Sequence, residues 1–117
     1  MWAAEGRLAR DVLPLVEDEA EAVFVSAASV WEIEIKRALN RFRGPDDVIG
    51  LVRDAGFERL TINFEHAREA GRLPLLHGDP FDRMIVAQAR IEGMTVATAD
   101  AMIARYGVPT VNVARSA

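Results

Sequence analysis

Hydrophobic residues recur along this chain with two spacings, one typical of helices and one typical of buried strands. Apolar residues at every third or fourth position predict helices over residues 7–19, 28–40, 46–55, 64–71, 80–92 and 101–106. Short β-branched and aromatic runs predict strands over residues 22–26, 58–62, 95–98 and 108–113. Because helices and strands alternate, the pattern predicts an α/β domain in which helices cover both faces of a parallel sheet of about four strands.

Residues with special backbone preferences mark the ends of some of these elements. Asp79 is placed to cap the helix over residues 80–92, Pro80 suits its first position, and Gly93 follows its last turn. Pro14 lies inside the first predicted helix, where a proline kinks or ends a helix. The helix after Asp79 is therefore the most sharply bounded element of the prediction.

Length and composition restrict the class of protein. The chain has 117 residues, 50% of them hydrophobic and 27% charged, with a net charge of −4. These values predict a single folded domain over residues 1–117 and not a disordered chain. No apolar run reaches the ~18–20 residues of a membrane helix, the first residues lack the order of a signal peptide, and cysteine is absent. We therefore expect a cytoplasmic protein that does not cross a membrane.

The charge balance argues against a protein that coats nucleic acid by charge alone, because the pI is near 5.2. It allows an enzyme that approaches a phosphate backbone through a divalent cation. Basic residues do cluster at Lys36, Arg37, Arg41 and Arg43. We interpret this cluster as a solvated helix face, with a phosphate- or partner-binding patch as the alternative.

Three acidic residues lie where a parallel sheet would bring them to one edge. Glu32 and Asp100 come shortly after predicted strands, and Asp82 lies in the first turn of the helix that Asp79 caps. Ligands of open parallel sheets bind outside the carboxyl ends of the strands, so we expect these three carboxylates to converge. Clustered carboxylates repel one another unless a cation neutralises them, and Mg²⁺ or Mn²⁺ favours oxygen ligands.

Each of these carboxylates also has a purely structural interpretation. Ser29 and Glu32 match a capping box, and Glu32 also forms an i,i+4 pair with Lys36. Asp82 is favoured by the dipole at a helix N-terminus, and Asp100 is placed to cap the helix that follows it. Convergence on one edge separates the two interpretations, because isolated caps have no reason to meet.

Histidines, aromatic residues and phosphate-binding motifs are weaker signals. His66 and His77 have no partner at metal-ligand spacing, so we expect both at the surface. Trp31 and Phe81 each adjoin an apolar stripe, so we expect both in the core and not as platforms for stacked bases. The sequence contains no G-x-S-x-G elbow, P-loop or dinucleotide fingerprint.

Three segments carry a resemblance to a known family. They are VFVSAASVWEI at 23–33, HGDPFDRMIVAQA at 77–89, and TVATAD at 95–100 followed by YGV at 106–108. In order and spacing they resemble the PIN-domain ribonucleases, in particular the VapC-type toxins of bacterial toxin–antitoxin modules. The resemblance extends over residues 7–113, and its D-P-F-D-R-x-I-x-A-Q-A pattern is the most specific part.

The resemblance implies a PIN-like three-layer α/β/α fold and hydrolysis of RNA phosphodiester bonds with Mg²⁺ or Mn²⁺. It implies that Glu32, Asp82 and Asp100 hold the metal and act in catalysis. Asp79 and Thr98 resemble supporting residues, which act by capping and hydrogen bonding.

The resemblance also implies partners: an RNA substrate, a cognate VapB-like antitoxin protein, and a second copy of the chain in a homodimer. The antitoxin is expected to insert a tail with a basic residue among the carboxylates. We expect the apolar contact surface to come from the helix that bears Trp31 and Ile35, and from residues 8–16.

One part of the family pattern has no match in this chain. The family's first ligand is an aspartate at the end of an opening strand, and Met1-Trp2-Ala3 matches the segment several residues after it. Either the chain is numbered from a downstream start, or the protein is a truncated form with three of four acidic ligands. In the second case we expect the opening strand, a central one, and its ligand to be absent, with a sheet edge left exposed. This departure favours an alternative function, a catalytically impaired PIN-fold protein that binds its antitoxin without cutting RNA. A PIN nuclease of RNA processing is a third possibility, which the small size of the chain disfavours.

Overall fold

A computed structural model of the chain describes residues 15–17, 22–42, 44, 46–98 and 100–111. Within these ranges the strands are β1 (Leu15–Glu17), β2 (Val23–Ser26), β3 (Glu58–Leu60), β4 (Met94–Ala97) and β5 (Thr110–Val111). The helices are α1 (Ala27–Ala38), α2 (Val48–Asp54), α3 (Phe64–Arg72), α4 (Pro80–Glu92) and α5 (Ala101–Ala104). Apart from β1, each element lies where the hydrophobic pattern predicts it.

The strands form one sheet in the order β3-β2-β1-β4-β5. β2 pairs in parallel with β3, and β4 pairs in parallel with β5. β1 pairs antiparallel with both β2 and β4, so β2 and β4 run in the same direction. Four strands therefore share one direction, as the sequence predicts, and their carboxyl ends meet at one edge of the sheet.

β1 corrects the predicted helix over residues 7–19. Leu15–Glu17 form a strand that is hydrogen-bonded on both sides, with Leu15 opposite Phe24 on one side and opposite Val96 on the other. Ladder hydrogen bonds to two neighbours outweigh a local helical spacing, which is a weak preference in such a short stretch. The other residues of that prediction lie outside the described residues. The central place of the sheet, which we expected to lose its strand, is filled by β1.

The two faces of the sheet carry separate cores. Phe24 of β2 packs against the larger core, which is built mainly from α3, α4, β4 and α5. Val25 belongs to the smaller core, with Ile33 of α1 and with Val48 and Val52 of α2. Because successive side chains of a strand point to opposite faces, helices cover both faces of the sheet. This is the predicted three-layer α/β arrangement.

The helix α4 has the boundaries that its terminal residues predict. The Asp79 carboxylate accepts hydrogen bonds at the N-terminus, and Pro80 occupies the first turn. Gly93 ends the helix in the left-handed conformation, with φ of 71°, which a glycine adopts without a steric penalty. α4 packs along β4 and α3 and so positions its first turn at the carboxyl edge of the sheet.

Among the described residues, no helix combines the length and the apolar character needed to cross a membrane.

Candidate functional site

The carboxyl edge of the sheet is also the place where three helices begin. α1 starts directly after β2, with the Ser26 hydroxyl accepting a hydrogen bond from Ala28 N at 3.0 Å. α5 starts shortly after β4, with Asp100 as its N-cap. The first turn of α4 lies at the same edge and carries Asp82. The fold thereby brings residues from three separate parts of the sequence to one place.

His77, Asp82 and Asp100 form the centre of this site. His77 Nε2 lies 2.9 Å from Asp100 Oδ2 and 3.2 Å from Asp82 Oδ2. One ligand atom from each of the three side chains lies within 4.8 Å of the others, which is close enough for one metal ion to contact them. Two of the three carboxylates predicted at this edge, Asp82 in the first turn of α4 and Asp100 after β4, therefore do meet, and a histidine lies between them.

Asp82 is held in an environment that disfavours its charge. Burial and the nearby carboxylate of Asp79 raise the pKa of Asp82 to about 6, from an ordinary value of 3.8. Glu32 and Asp100 act in the same direction, and His77 opposes them. This balance is the mark of a carboxylate cluster that lacks sufficient positive charge.

Asp100 differs from Asp82 because hydrogen bonds stabilise its ionised form. Its Oδ1 accepts from Met102 N at 2.9 Å, and its Oδ2 faces His77. These two contacts lower the pKa of Asp100 below its ordinary range. The structural interpretation of Asp100 as an N-cap is therefore correct for one oxygen, while the other oxygen belongs to the site.

Asp79 and Thr98, the two predicted supporting residues, both bond to the backbone next to a central carboxylate. Asp79 Oδ1 accepts from Phe81 N at 2.8 Å and from Asp82 N at 3.4 Å. The buried Thr98 hydroxyl accepts from Asp100 N at 3.0 Å. Each therefore fixes the main chain from which Asp82 or Asp100 extends.

Glu32 lies on α1, and its charge contributes to the raised pKa of Asp82. Its carboxylate also lies 3.4 Å from Lys36 Nζ, the predicted i,i+4 pair. The alternative capping box is wrong, because Ser26 and not Ser29 caps α1. Ser29 is buried, and its hydroxyl has no hydrogen-bond partner in the described part of the chain. Glu32 is consequently two turns into the helix, too far along to reach back to its N-terminus.

Both histidines were expected at the surface, and both expectations are wrong. His66 is 1% exposed and lies between α3 and α4. The side chain of His77 is 17% exposed and belongs to the candidate site. Metal-ligand spacing within the sequence did not indicate His77, because its contacts are with residues on other elements. The signal that was available is its position two residues before Asp79, in the loop that leads into α4.

The loop that carries His77 is anchored by Arg83 and Tyr106. Arg83 donates hydrogen bonds to the backbone carbonyls of Ala70, Leu73 and Pro74 at 2.9 to 3.0 Å. The Tyr106 hydroxyl donates to Pro74 O at 2.9 Å and accepts from His77 N at 2.9 Å. Since these contacts tie down the main chain, the position of His77 is built into the fold.

Trp31 also departs from its prediction, because it is 62% exposed and not in the core. The face of α1 that packs inward carries Ala28, Ser29 and Ile33, and Trp31 lies on the other side of the helix. Its ring contacts Phe81 edge to face, with centroids 5.2 Å apart. Phe81 itself is partly buried against the larger core, as predicted.

An apolar groove lies beside Trp31. Its cavity volume is about 340 Å³, and its lining includes Val25, Val30, Trp31, Ile49 and Leu60. Trp31 and Ile35 are exposed on α1, as expected for a contact surface. The other expected part of that surface, over residues 8–16, lies outside the described side chains.

Two residues of the basic cluster, Lys36 and Arg37, lie on α1 and are engaged in contacts within the chain. Arg37 lies 3.5 Å from Glu34 and 3.7 Å from Asp46, with its guanidinium above the ring of Phe42. Lys36 pairs with Glu32. These contacts favour the interpretation of a solvated helix face over that of a phosphate-binding patch, while Arg43 lies outside the described residues.

Comparison with protein families agrees with the α/β fold. A family model described as PIN domain matches residues 2–109 of the chain. Comparisons with curated proteins and with solved structures found no match.

Proposed function

The chain belongs to the PIN domain family, whose members are generally metal-dependent nucleases, and from this premise we propose that it is an endoribonuclease. In this proposal Glu32, Asp82 and Asp100 bind Mg²⁺ or Mn²⁺ and cut phosphodiester bonds of RNA. The observation that carries the proposal is the cluster itself, with Asp82 and Asp100 in reach of one ion. The chain contains no alternative nucleophile motif, which also favours hydrolysis by water.

The donor set fits a divalent cation. Burial first, and then the neighbouring carboxylates of Asp79, Glu32 and Asp100, raise the pKa of Asp82, and a cation would stabilise its ionised form. Carboxylate oxygens are the ligands that Mg²⁺ and Mn²⁺ prefer. A bound cation would supply an activated water and would stabilise charge on the phosphate. Within the chain, Asp79 and Thr98 hold the backbone beside Asp82 and Asp100, so the carboxylates are oriented before the cation arrives.

The test is cleavage of RNA by the purified chain with Mg²⁺, with Mn²⁺ and with a chelator. We expect cleavage that depends on the cation and is lost in Glu32→Gln, Asp82→Asn and Asp100→Asn. Glu34→Gln is the matched control, because Glu34 lies on the same helix but pairs with Arg37. Cleavage that survives all three site variants would overturn the proposal.

We further propose that the enzyme is the toxin of a toxin–antitoxin module and that it forms a homodimer. The D-P-F-D-R-x-I-x-A-Q-A pattern of the VapC-type toxins supports this assignment. The partner would be a VapB-like antitoxin whose tail lies in the apolar groove beside Trp31 and places a basic residue at Asp82 and Asp100. Such a residue would form charge-assisted hydrogen bonds with the carboxylates.

Growth after induced expression tests the toxin assignment. We expect growth arrest with the wild-type chain, no arrest with Asp82→Asn, and rescue by the small protein encoded beside its gene. Light scattering of the isolated chain tests the homodimer, and a stable monomer would refute it. Partner binding by a chain that cuts no RNA would instead favour the alternative, a PIN-fold protein that acts only through its antitoxin.

A further inference from the structure

The position of the proton on His77 follows from the hydrogen bond on the far side of its ring. The backbone N–H of Asp79 donates to His77 Nδ1 at 3.1 Å. A backbone N–H can only donate, so Nδ1 must offer a lone pair, and the ring carries its proton on Nε2. The tautomer is therefore determined by the loop that leads into α4.

The Nε2–H group points into the carboxylate cluster. It donates to Asp100 Oδ2 at 2.9 Å and lies 3.2 Å from Asp82 Oδ2. A histidine that ligates a metal needs a lone pair on the ligating nitrogen and usually donates from its other nitrogen to a carboxylate or carbonyl. His77 has the opposite arrangement, because its far nitrogen accepts and its near nitrogen donates.

We propose that His77 is a competitor of the cation and not a ligand. Its N–H partly neutralises Asp82 and Asp100 in the metal-free protein, and a divalent cation takes its place between them. The inference rests on the proposed function, in which these carboxylates hold the cation. It deepens that function by assigning to the chain a residue that sets how tightly the cation binds.

The exchange requires only the side chain to move. The main chain of His77 is tied to Tyr106, and Tyr106 is tied to Pro74, so the loop stays in place while the ring rotates. Besides the His77 ring, the groups whose charges act on Asp82 are Asp79, Glu32 and Asp100. All three are acidic, so the space vacated by the ring remains attractive to a cation.

Calorimetric titration of the full chain with Mn²⁺ and with Mg²⁺ distinguishes the two roles of His77. Loss of a competitor in His77→Ala tightens cation binding, whereas loss of a ligand weakens it. Removing a competing donor in His77→Ala should tighten binding by about tenfold, since a hydrogen bond to a carboxylate is worth roughly that factor. His77→Gln keeps an amide donor and should bind closer to wild type. Weaker or unchanged binding in His77→Ala would overturn the inference.

Nitrogen chemical shifts of the histidine rings test the metal-free arrangement independently. We expect His77 to carry its proton on Nε2 and its signals to shift when Mg²⁺ is added. His66 is an internal control, because its Nδ1 also accepts a backbone N–H and it lies away from the site. A proton on Nδ1 of His77 would overturn the inference. If the Nε2 tautomer is found but no variant binds either cation, the proposed function fails while the hydrogen-bond arrangement stands.

Discussion

The two histidines of this chain make similar hydrogen bonds in two different regions. His66, between α3 and α4, accepts from Asn63 N at Nδ1 and places Nε2 2.8 Å from Glu92. His77, at the carboxyl edge of the sheet, accepts from Asp79 N at Nδ1 and places Nε2 against carboxylates. In both regions a backbone N–H donates to Nδ1 and so selects the tautomer, and the Nε2–H group donates to an acidic side chain.

The regions differ in burial and in the number of carboxylates. His66 is almost completely buried and faces one carboxylate, that of Glu92. The hydrogen bond between them joins α3 to α4. His77 is partly exposed and faces two carboxylates, one of which has a raised pKa. The comparison teaches that a similar local motif joins two helices where a single carboxylate faces the ring, and lies in a candidate site where two carboxylates share it.

The largest expected effect is a loss of RNA cleavage without a matching loss of thermal stability, at the carboxyl edge of the sheet. Asp82→Asn should lower RNA cleavage by at least about 100-fold, since even residues behind metal ligands cost up to that factor. Its thermal stability without metal should change little or rise, because one of several repelling charges is removed. Cleavage rates and melting curves of the same preparations measure both. A melting temperature many degrees lower would identify Asp82 as a structural cap instead.

The second effect is on stability in the region between α3 and α4. His66→Ala should lower the free energy of unfolding by about 3 kcal/mol, because it leaves a cavity at a side chain that is 1% exposed and removes its hydrogen bonds to Asn63 N and Glu92. His77→Ala should cost about 1 kcal/mol or less, because its ring is partly exposed and leaves a smaller cavity. Urea unfolding monitored by circular dichroism compares the two variants. Equal losses would show that the regions do not differ as described.

Prediction from sequence was accurate where the signal is local. Asp79, Pro80 and Gly93 defined both ends of α4, since caps and left-handed glycines act within one turn. β1 was missed because its strand conformation depends on pairing with Phe24 and Val96, which no local pattern contains.

The residues of the candidate site also differ in whether local sequence signals could predict their positions. Asp82 and Asp100 could be placed at one edge because strand direction determines where strand ends meet. His77 could not, since its contact with Asp100 joins distant segments and depends on the path of the loop before α4. Trp31 was misplaced because small residues, Ala28 and Ser29, supply the inward face of α1 and leave the larger side chain outside.

The third effect concerns pH and follows from the raised pKa of Asp82. A carboxyl whose pKa rises on folding, here from 3.8 to about 6, stabilises the fold while protonated, and this contribution is lost as pH rises through 6. Asparagine does not ionise, so the stability of Asp82→Asn relative to wild type should increase between pH of about 4 and about 7 and then level off. Melting temperatures of both metal-free proteins across this range measure the difference. A difference that does not change with pH would contradict the raised pKa.

The smallest effect belongs to the exposed partner of His66. The Glu92 side chain is 36% exposed, so Glu92→Gln should cost only about 0.5 kcal/mol while keeping an acceptor for the Nε2–H group. Glu69→Gln, which alters a comparable pair with Arg90, is the matched control. Thermal melts of both variants measure this small loss of stability. A loss in Glu92→Gln as large as that in His66→Ala would mean that the charge, and not the packing of the ring, holds the two helices.

The central place of β1 in the sheet has a consequence for the order in which the molecule assembles. Leu15 pairs with Phe24, which follows it closely in the chain, and with Val96, which is far away along it. Contacts between near residues form quickly, while pairing that closes a long loop is slow. We therefore expect β1 to pair with β2, the strand that leads into the helix of Glu32, before it pairs with β4. Asp100 follows β4 in the chain and reaches the site together with that strand. We therefore expect Glu32, which follows β2, to join Asp82 and Asp100, which lie on the later segment with β4, only at this step.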